Sequence, residues 1–82
     1  MYNPKLKWAD ITDTTSASGI ATYDFGKNAI VICANSIQGG LFVIPGATYN
    51  SRRTWSFKVI DANGAAYSNK SVTIVAIYYY PN

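Results

Sequence analysis

The amino-acid sequence predicts an all-β fold, a small antiparallel β-sandwich or barrel of about six short strands. Runs of alternating or β-branched apolar residues are separated by segments rich in Gly, Asn, Ser and Pro, which is the pattern of short strands joined by turns. Apolar residues nowhere recur at the i, i+3, i+4, i+7 spacing of an amphipathic helix. The length of 82 residues fits one domain, spanning residues 1–82.

The segment Trp55–Tyr80 carries the strongest strand signals, and the rest of the chain is expected to be organised around it. Apolar and polar residues alternate along Thr54–Ile60, and Asp61–Gly64 then supplies turn-forming residues. Lys70–Tyr80 is rich in β-branched and aromatic residues and is apolar on both faces, which is typical of a strand inside a sandwich or at a subunit interface. These two strands are predicted to form a hairpin.

Further strands are predicted in the first half of the chain. Residues 1–18 are expected to be largely irregular, with a short edge strand at Leu6–Ile11 and a one-turn helix as its alternative. Gly19–Phe25 and Ala29–Asn35 are predicted strands, and Gly26–Asn28 is short enough to join them as a hairpin. The continuous apolar run of Ala29–Asn35 predicts burial on both faces.

A short strand is predicted at Leu41–Ile44. It is expected to end at Pro45-Gly46, because Pro45 has no N–H to donate to a neighbouring strand. Ala47–Arg53 is then predicted to be a polar loop.

The charge pattern argues against nucleic acid as a partner. The net charge is +3, but the seven basic residues are scattered apart from the Arg52-Arg53 pair, whereas nucleic-acid-binding modules concentrate Lys and Arg on one face. A small nucleic-acid-binding barrel is kept as the third functional hypothesis. It requires a shared face for Lys27, Arg52, Arg53, Lys58 and Lys70.

The sequence predicts no enzyme, no catalytic residue, no cofactor and no metal site. It contains no His and no Glu, so the usual general bases and the common catalytic triads are missing. The four Asp residues lie beside Thr, Gly or Asn, as turn carboxylates do; the alternative is a facing pair of the glycosidase type. Cys33 lies in the most apolar strand, away from positive charge, and is expected to be a buried, inert thiol.

The small size of the chain predicts self-association. A domain of this length buries only roughly 60–65% of its unfolded surface, and such domains often gain stability from a disulfide, a metal or a partner chain. A single cysteine excludes an intrachain disulfide, and the missing His and Glu argue against a metal. The predicted interface residues are Ile77, Tyr78, Tyr79 and Tyr80. An aromatic platform that stacks on sugar rings and an exposed chain end are the alternatives for these tyrosines.

Arg52–Trp55 is a candidate ligand site, because positive charge adjoins a large aromatic ring there. These residues would suit phosphate, sulfate or an acidic sugar. The alternative is a solvated loop that leads into a core tryptophan, which the alternation around Trp55 favours.

The sequence shows neither a membrane span nor a signal peptide. No run approaches the roughly 20 apolar residues of a transmembrane helix. The first residues, Met-Tyr-Asn-Pro-Lys, lack the apolar stretch of a signal peptide. Assembly into a particle made inside the cell would agree with display on a virion or a cell surface. Ordinary cytoplasmic residence and a segment of a longer chain are the alternatives.

Three segments of the chain resemble the C-terminal tip domains of bacteriophage tail fibres and other phage receptor-binding proteins. They are Gly19–Phe25, Asn28–Asn35, and Trp55–Gly64 continuing to Val72–Tyr80. The resemblance implies a compact β-sandwich that trimerises about a three-fold axis and binds a saccharide or protein receptor on the host surface. Residues 1–18 depart from it, since they show no coiled-coil or fibrous stem. A small accessory or decoration protein of a virion fits equally well.

The resemblance makes the loops at residues 35–40, 47–53 and 61–69 candidates for receptor contact. The contact residues it suggests are Tyr49, Asn50, Arg52, Arg53 and Tyr67. The predicted function is thus a non-enzymatic, self-associating domain of a phage or phage-like particle, used in assembly or host attachment. A carbohydrate-binding or adhesin-like module is the alternative. Such a module would be distinguished by exposed, coplanar aromatic rings among Tyr23, Tyr49, Tyr67 and Tyr79.

Overall fold

The structure is a computed structural model that describes residues 5–48 and 51–81. In these ranges the chain forms the strands β1 (Lys7–Thr14), β2 (Ile20–Asp24), β3 (Ile30–Ser36), β4 (Leu41–Thr48), β5 (Ser51–Asp61) and β6 (Ser71–Tyr79). They make two three-stranded antiparallel sheets, the first ordered β1-β6-β3 and the second β2-β5-β4. The sheets pack together as a small β-sandwich, which confirms the predicted fold class.

β5 and β6 are the central strands of the two sheets. Trp55, Phe57 and Val59 of β5 are buried, which confirms the predicted alternation of that strand. In β6 one face is buried in the core, whereas the residues of its other face are half-buried. The predicted hairpin between these strands is wrong, because they belong to different sheets. Each strand pairs with two others in its own sheet and contributes its apolar row to the shared core.

The predicted hairpin between β2 and β3 is also wrong. β2 pairs with β5, whereas β3 pairs with β6 in the other sheet. Phe25 and Ala29 explain the difference, because both are buried, whereas a tight turn over a sheet edge would leave them in water. Their N–H groups donate to the carbonyls of Arg53 and Arg52, so the connection is held against the start of β5.

The hairpin that does form joins β4 and β5. β4 continues through Pro45 to Thr48, so the predicted strand end and the predicted loop at 47–53 are wrong. β4 is an edge strand, and an edge tolerates a proline because the missing N–H can face outward without breaking the ladder.

β1 is an edge strand of the first sheet, as predicted, and the helix alternative is wrong. It begins at Lys7 and continues three residues beyond the expected end at Ile11, through residues that were expected to be irregular. Ile11 faces the core opposite Ile74, which sets the alternation of the strand.

The prediction that β3 is buried on both faces, with Cys33 buried inside, is wrong. A β-bulge between Val31 and Cys33 changes the register against β6, so that Val31 and Ala34 are both buried. Ile32 is left 54% exposed at the bulge, and Cys33 is exposed as a free thiol.

Candidate functional site: the outer face of the first sheet

The first sheet presents an apolar surface on the side away from the core. Because Val72, Ile74 and Ala76 of β6 point inward, the alternate residues point outward. The antiparallel register places Ile77 between Trp8 of β1 and Cys33 of β3. The next outward residue, Tyr79, lies opposite Ile30. We call the surface formed by Trp8, Ile30, Cys33, Val75, Ile77 and Tyr79 the outer face.

Exposure of the outer face is greatest at Trp8, whose side chain is 71% exposed, while Ile77 and Tyr79 are half-buried by their neighbours. A large aromatic side chain on an uncovered sheet leaves a large apolar area in water. The same side of the sheet becomes polar at its other end, where the hydroxyls of Thr12 and Thr73 share a hydrogen bond of 3.0 Å.

The four predicted interface residues divide between two environments. Ile77 and Tyr79 belong to the outer face, whereas Tyr78 and Tyr80 pack on the inward side with Phe25. The ring centroids of Tyr78 and Phe25 are 4.7 Å apart, and the Tyr80 hydroxyl donates to the Phe25 carbonyl at 2.9 Å. Burial raises the pKa of Tyr78 above its ordinary value. Tyr78 and Tyr80 therefore help to close the domain's own core.

Two of the predicted ligand-contact residues, Arg52 and Arg53, lie in β5. Tyr49 and Asn50 fall outside the described residues. Arg53 donates from Nε to Asp24 Oδ1 at 2.8 Å, and this hydrogen bond holds the pKa of the Asp24 carboxyl below its usual value. Arg52 donates from Nε to Asn28 Oδ1 at 3.1 Å. Both guanidinium groups thus contact the 24–28 segment.

Trp55 does not present a free ring beside these arginines. Its side chain is buried in the core, and its Nε1–H lies 2.9 Å from the carbonyl oxygen of Arg52 and 3.3 Å from that of Ala29. The alternative interpretation, a solvated segment leading into a core tryptophan, agrees with this placement.

Tyr67 and Tyr23 are packed against other groups of the domain. Tyr67 is half-buried against the core, and the Lys70 ammonium lies 5.2 Å from its ring centroid. Tyr23 lies edge-on to Phe25, with ring centroids 4.8 Å apart. These contacts use part of each ring, and so reduce the surface on which a sugar could stack.

The part of the chain that the structure describes brings no three His, Cys, Asp or Glu side chains together in a way that could hold a metal ion. It also contains no helix of the length and apolarity needed to cross a membrane.

Sequence reasoning identified Ile77 and Tyr79 but missed Trp8 and Cys33. Trp8 could have been found from alternation, since it lies three residues before the inward Ile11 and therefore on the opposite side of the strand. Cys33 could not, because the bulge that turns it outward leaves no signal in an apolar run.

Comparison of the chain with models of protein families, with curated proteins and with solved structures finds no match.

Proposed function

We propose that this protein is a non-enzymatic structural or binding domain that associates with further copies of itself in a larger particle. The observation that carries the proposal is the outer face, where Trp8, Ile77 and Tyr79 leave contiguous apolar area uncovered. Monomeric proteins seldom leave such patches in water, and Tyr, Trp and apolar side chains are what the cores of interfaces favour.

The particle that we propose is a phage or phage-like virion, on the basis of the sequence resemblance to tail-fibre tip domains. Its role there is assembly or attachment to a saccharide or protein receptor on the host. The resemblance favours three copies per assembly. The segments at 35–40 and 61–69, together with Arg52 and Arg53, remain the proposed receptor contacts.

The test is the solution mass of the purified chain, measured by light scattering across a dilution series. We expect wild-type protein to exceed the 9.0 kDa of one chain at high concentration and to approach it on dilution. The double variant Ile77→Ser/Tyr79→Ser should remain folded and stay monomeric, because it removes two apolar side chains from the outer face without entering the core.

The matched control is Thr12→Ser/Thr73→Ser, which changes the polar end of the same side of the sheet and should keep the wild-type mass. A wild-type chain that is monomeric at every concentration would overturn the proposal. A double variant with unchanged assembly mass would show that the interface lies elsewhere.

A further inference from the structure

A second apolar surface lies on the other sheet. Phe42 and Ile44 of β4 point away from the core, and each is 56% exposed. The register places Phe42 opposite Ile60, and Ile44 opposite Lys58 of β5. We call the surface formed by Phe42, Ile44 and Ile60 the opposite patch. It lies on the reverse side of the sandwich from the outer face, since each is on the solvent side of its own sheet.

We infer that copies of this chain associate head to tail, with the outer face of one copy packed on the opposite patch of the next. The inference rests on the proposed self-association and specifies its arrangement. Two different apolar surfaces on one subunit both become covered in this arrangement, whereas pairing of outer face with outer face would leave every opposite patch in water.

The charges beside the two surfaces favour the same arrangement. Asp10 is the charged residue on the solvent side of the first sheet, and in the described part of the chain no basic side chain pairs with it. Lys58 lies beside the opposite patch; its ammonium donates to the Ser18 carbonyl at 2.5 Å and has no carboxylate partner in the same ranges. Head-to-tail packing brings these opposite charges to one interface, whereas pairing of two outer faces brings two carboxylates together.

The strand edges are poorly suited to joining copies by strand addition. β1 carries Lys7, Asp10 and Asp13, and β2 has only five residues. β3 is interrupted by its bulge, and β4 contains Pro45, which lacks an N–H. Charges, short strands, bulges and prolines are the features that prevent edge-to-edge pairing in β-proteins. Contacts between copies are therefore expected on the faces.

The small area of each surface also favours an arrangement in which every copy makes contacts through both surfaces. Three strands about 4.8 Å apart and about 30 Å long give a face of roughly 400 Å², whereas a stable interface buries about 800 Å² on each partner. One face alone supports a weak contact. A copy between two neighbours makes two contacts of this size, so it buries about twice the area that a copy in a face-to-face pair buries, although each contact stays weak.

The two surfaces lie on opposite sides of the subunit, so repetition of the contact builds a stack rather than a closed trimer. A three-membered ring would need its two contact surfaces on adjacent sides of the subunit. The inference thus departs from the three-fold arrangement that the sequence resemblance implies.

The test is complementation between two variants, with the masses measured by light scattering. Ile77→Ser/Tyr79→Ser disables the outer face, and Phe42→Ser/Ile44→Ser disables the opposite patch. Each variant alone should be monomeric at concentrations where wild-type protein associates. An equimolar mixture should form a species of two chains and nothing larger, because one intact outer face meets one intact opposite patch.

A mixture that stays monomeric, or a Phe42→Ser/Ile44→Ser variant that still dimerises alone, would overturn the head-to-tail arrangement but not self-association. A wild-type trimer whose mass does not grow with concentration would also overturn it. A wild-type chain that is always monomeric would overturn the proposed function itself. Circular dichroism should first show that each variant retains the strand signal of the wild type.

A conservative variant tests the charge argument without altering the apolar surfaces. Asp10→Asn should weaken head-to-tail association by about two- to fivefold, the usual range for an exposed ion pair. It should strengthen association if two outer faces meet, because it removes the repulsion between carboxylates. A stronger association would therefore overturn the inference.

Discussion

Thr15 is the buried polar residue of the part of the chain that the structure describes, with only 2% of its surface exposed. Its hydroxyl lies 2.5 Å from the Tyr67 carbonyl oxygen and accepts from the Lys70 N–H at 3.1 Å. The Thr15 N–H in turn donates to the Lys70 carbonyl at 2.8 Å. This residue therefore connects the end of β1 to the segment that leads into β6.

We expect Thr15→Val to lower the free energy of unfolding by about 1–3 kcal/mol, because it keeps the side-chain shape but leaves buried backbone groups without their hydroxyl partner. Each kcal/mol corresponds to about 4–8 °C in Tm for a domain of this size. Thermal unfolding followed by circular dichroism measures the change. Thr12→Val is the matched control, since its hydroxyl bond to Thr73 is exposed to water and should matter little. Equal losses in the two variants would contradict this role for Thr15.

At the scale of single elements, the entry into β2 depends on a glycine. Gly19 has a φ of +77°, a left-handed conformation that other residues adopt at a cost. A Cβ at this position would lie 2.8 Å from the Val59 carbonyl oxygen and 3.1 Å from the Tyr67 nitrogen. The backbone of three segments therefore meets at a point where only a hydrogen atom fits.

Gly19→Ala and Gly64→Ala form a matched pair that separates steric overlap from backbone strain. Gly64 has a similar φ of +81°, but a Cβ there would meet no atom within 4 Å. We expect Gly64→Ala to cost about 1–2 kcal/mol from conformation alone. Gly19→Ala should cost clearly more, since its Cβ meets backbone atoms that cannot rotate away. Urea unfolding of both variants measures the difference, and equal midpoints would contradict the steric argument.

Strand positions could be predicted from the sequence better than strand partners. The alternation in Thr54–Ile60 and the β-branched run before Tyr80 located β5 and β6, because period two is a local property. Pairing is not local. Phe25 and Ala29 flank a three-residue gap that favours a hairpin by its length, but both are buried and their connection crosses from one sheet to the other. Pro45 likewise predicts the end of a strand, unless the strand is known to lie at the edge of its sheet.

The candidate surfaces could be predicted only in part for the same reason. Ile77 and Tyr79 follow from alternation within one strand. To predict that Trp8, Ile77 and Cys33 are neighbours, one must know the register of three strands and the position of a bulge. Phe42 and Ile44 lie in a run of four apolar residues, so the sequence does not show which of them face water.

At the scale of the whole molecule, Cys33 offers a natural probe of assembly. Its thiol is exposed in the isolated chain and lies on the outer face opposite Ile77. We expect alkylation by a maleimide reagent to slow as the protein concentration rises, because association covers this face. The Ile77→Ser/Tyr79→Ser variant is the control and should react at one rate throughout. A wild-type rate that does not depend on concentration would argue against burial of the outer face between copies.

The strand order also has a consequence for how the domain is made. β1 and β3 find their partner in β6, which the ribosome produces after both of them. Until Ser71–Tyr79 has emerged, Ile11, Val31 and Ala34 have no central strand beside them, so the first sheet cannot form during synthesis of the earlier strands. The outer face is completed by the same event. A nascent chain that lacks β6 can therefore present the opposite patch of the second sheet but not the outer face, so we expect head-to-tail contacts to need the completed chain.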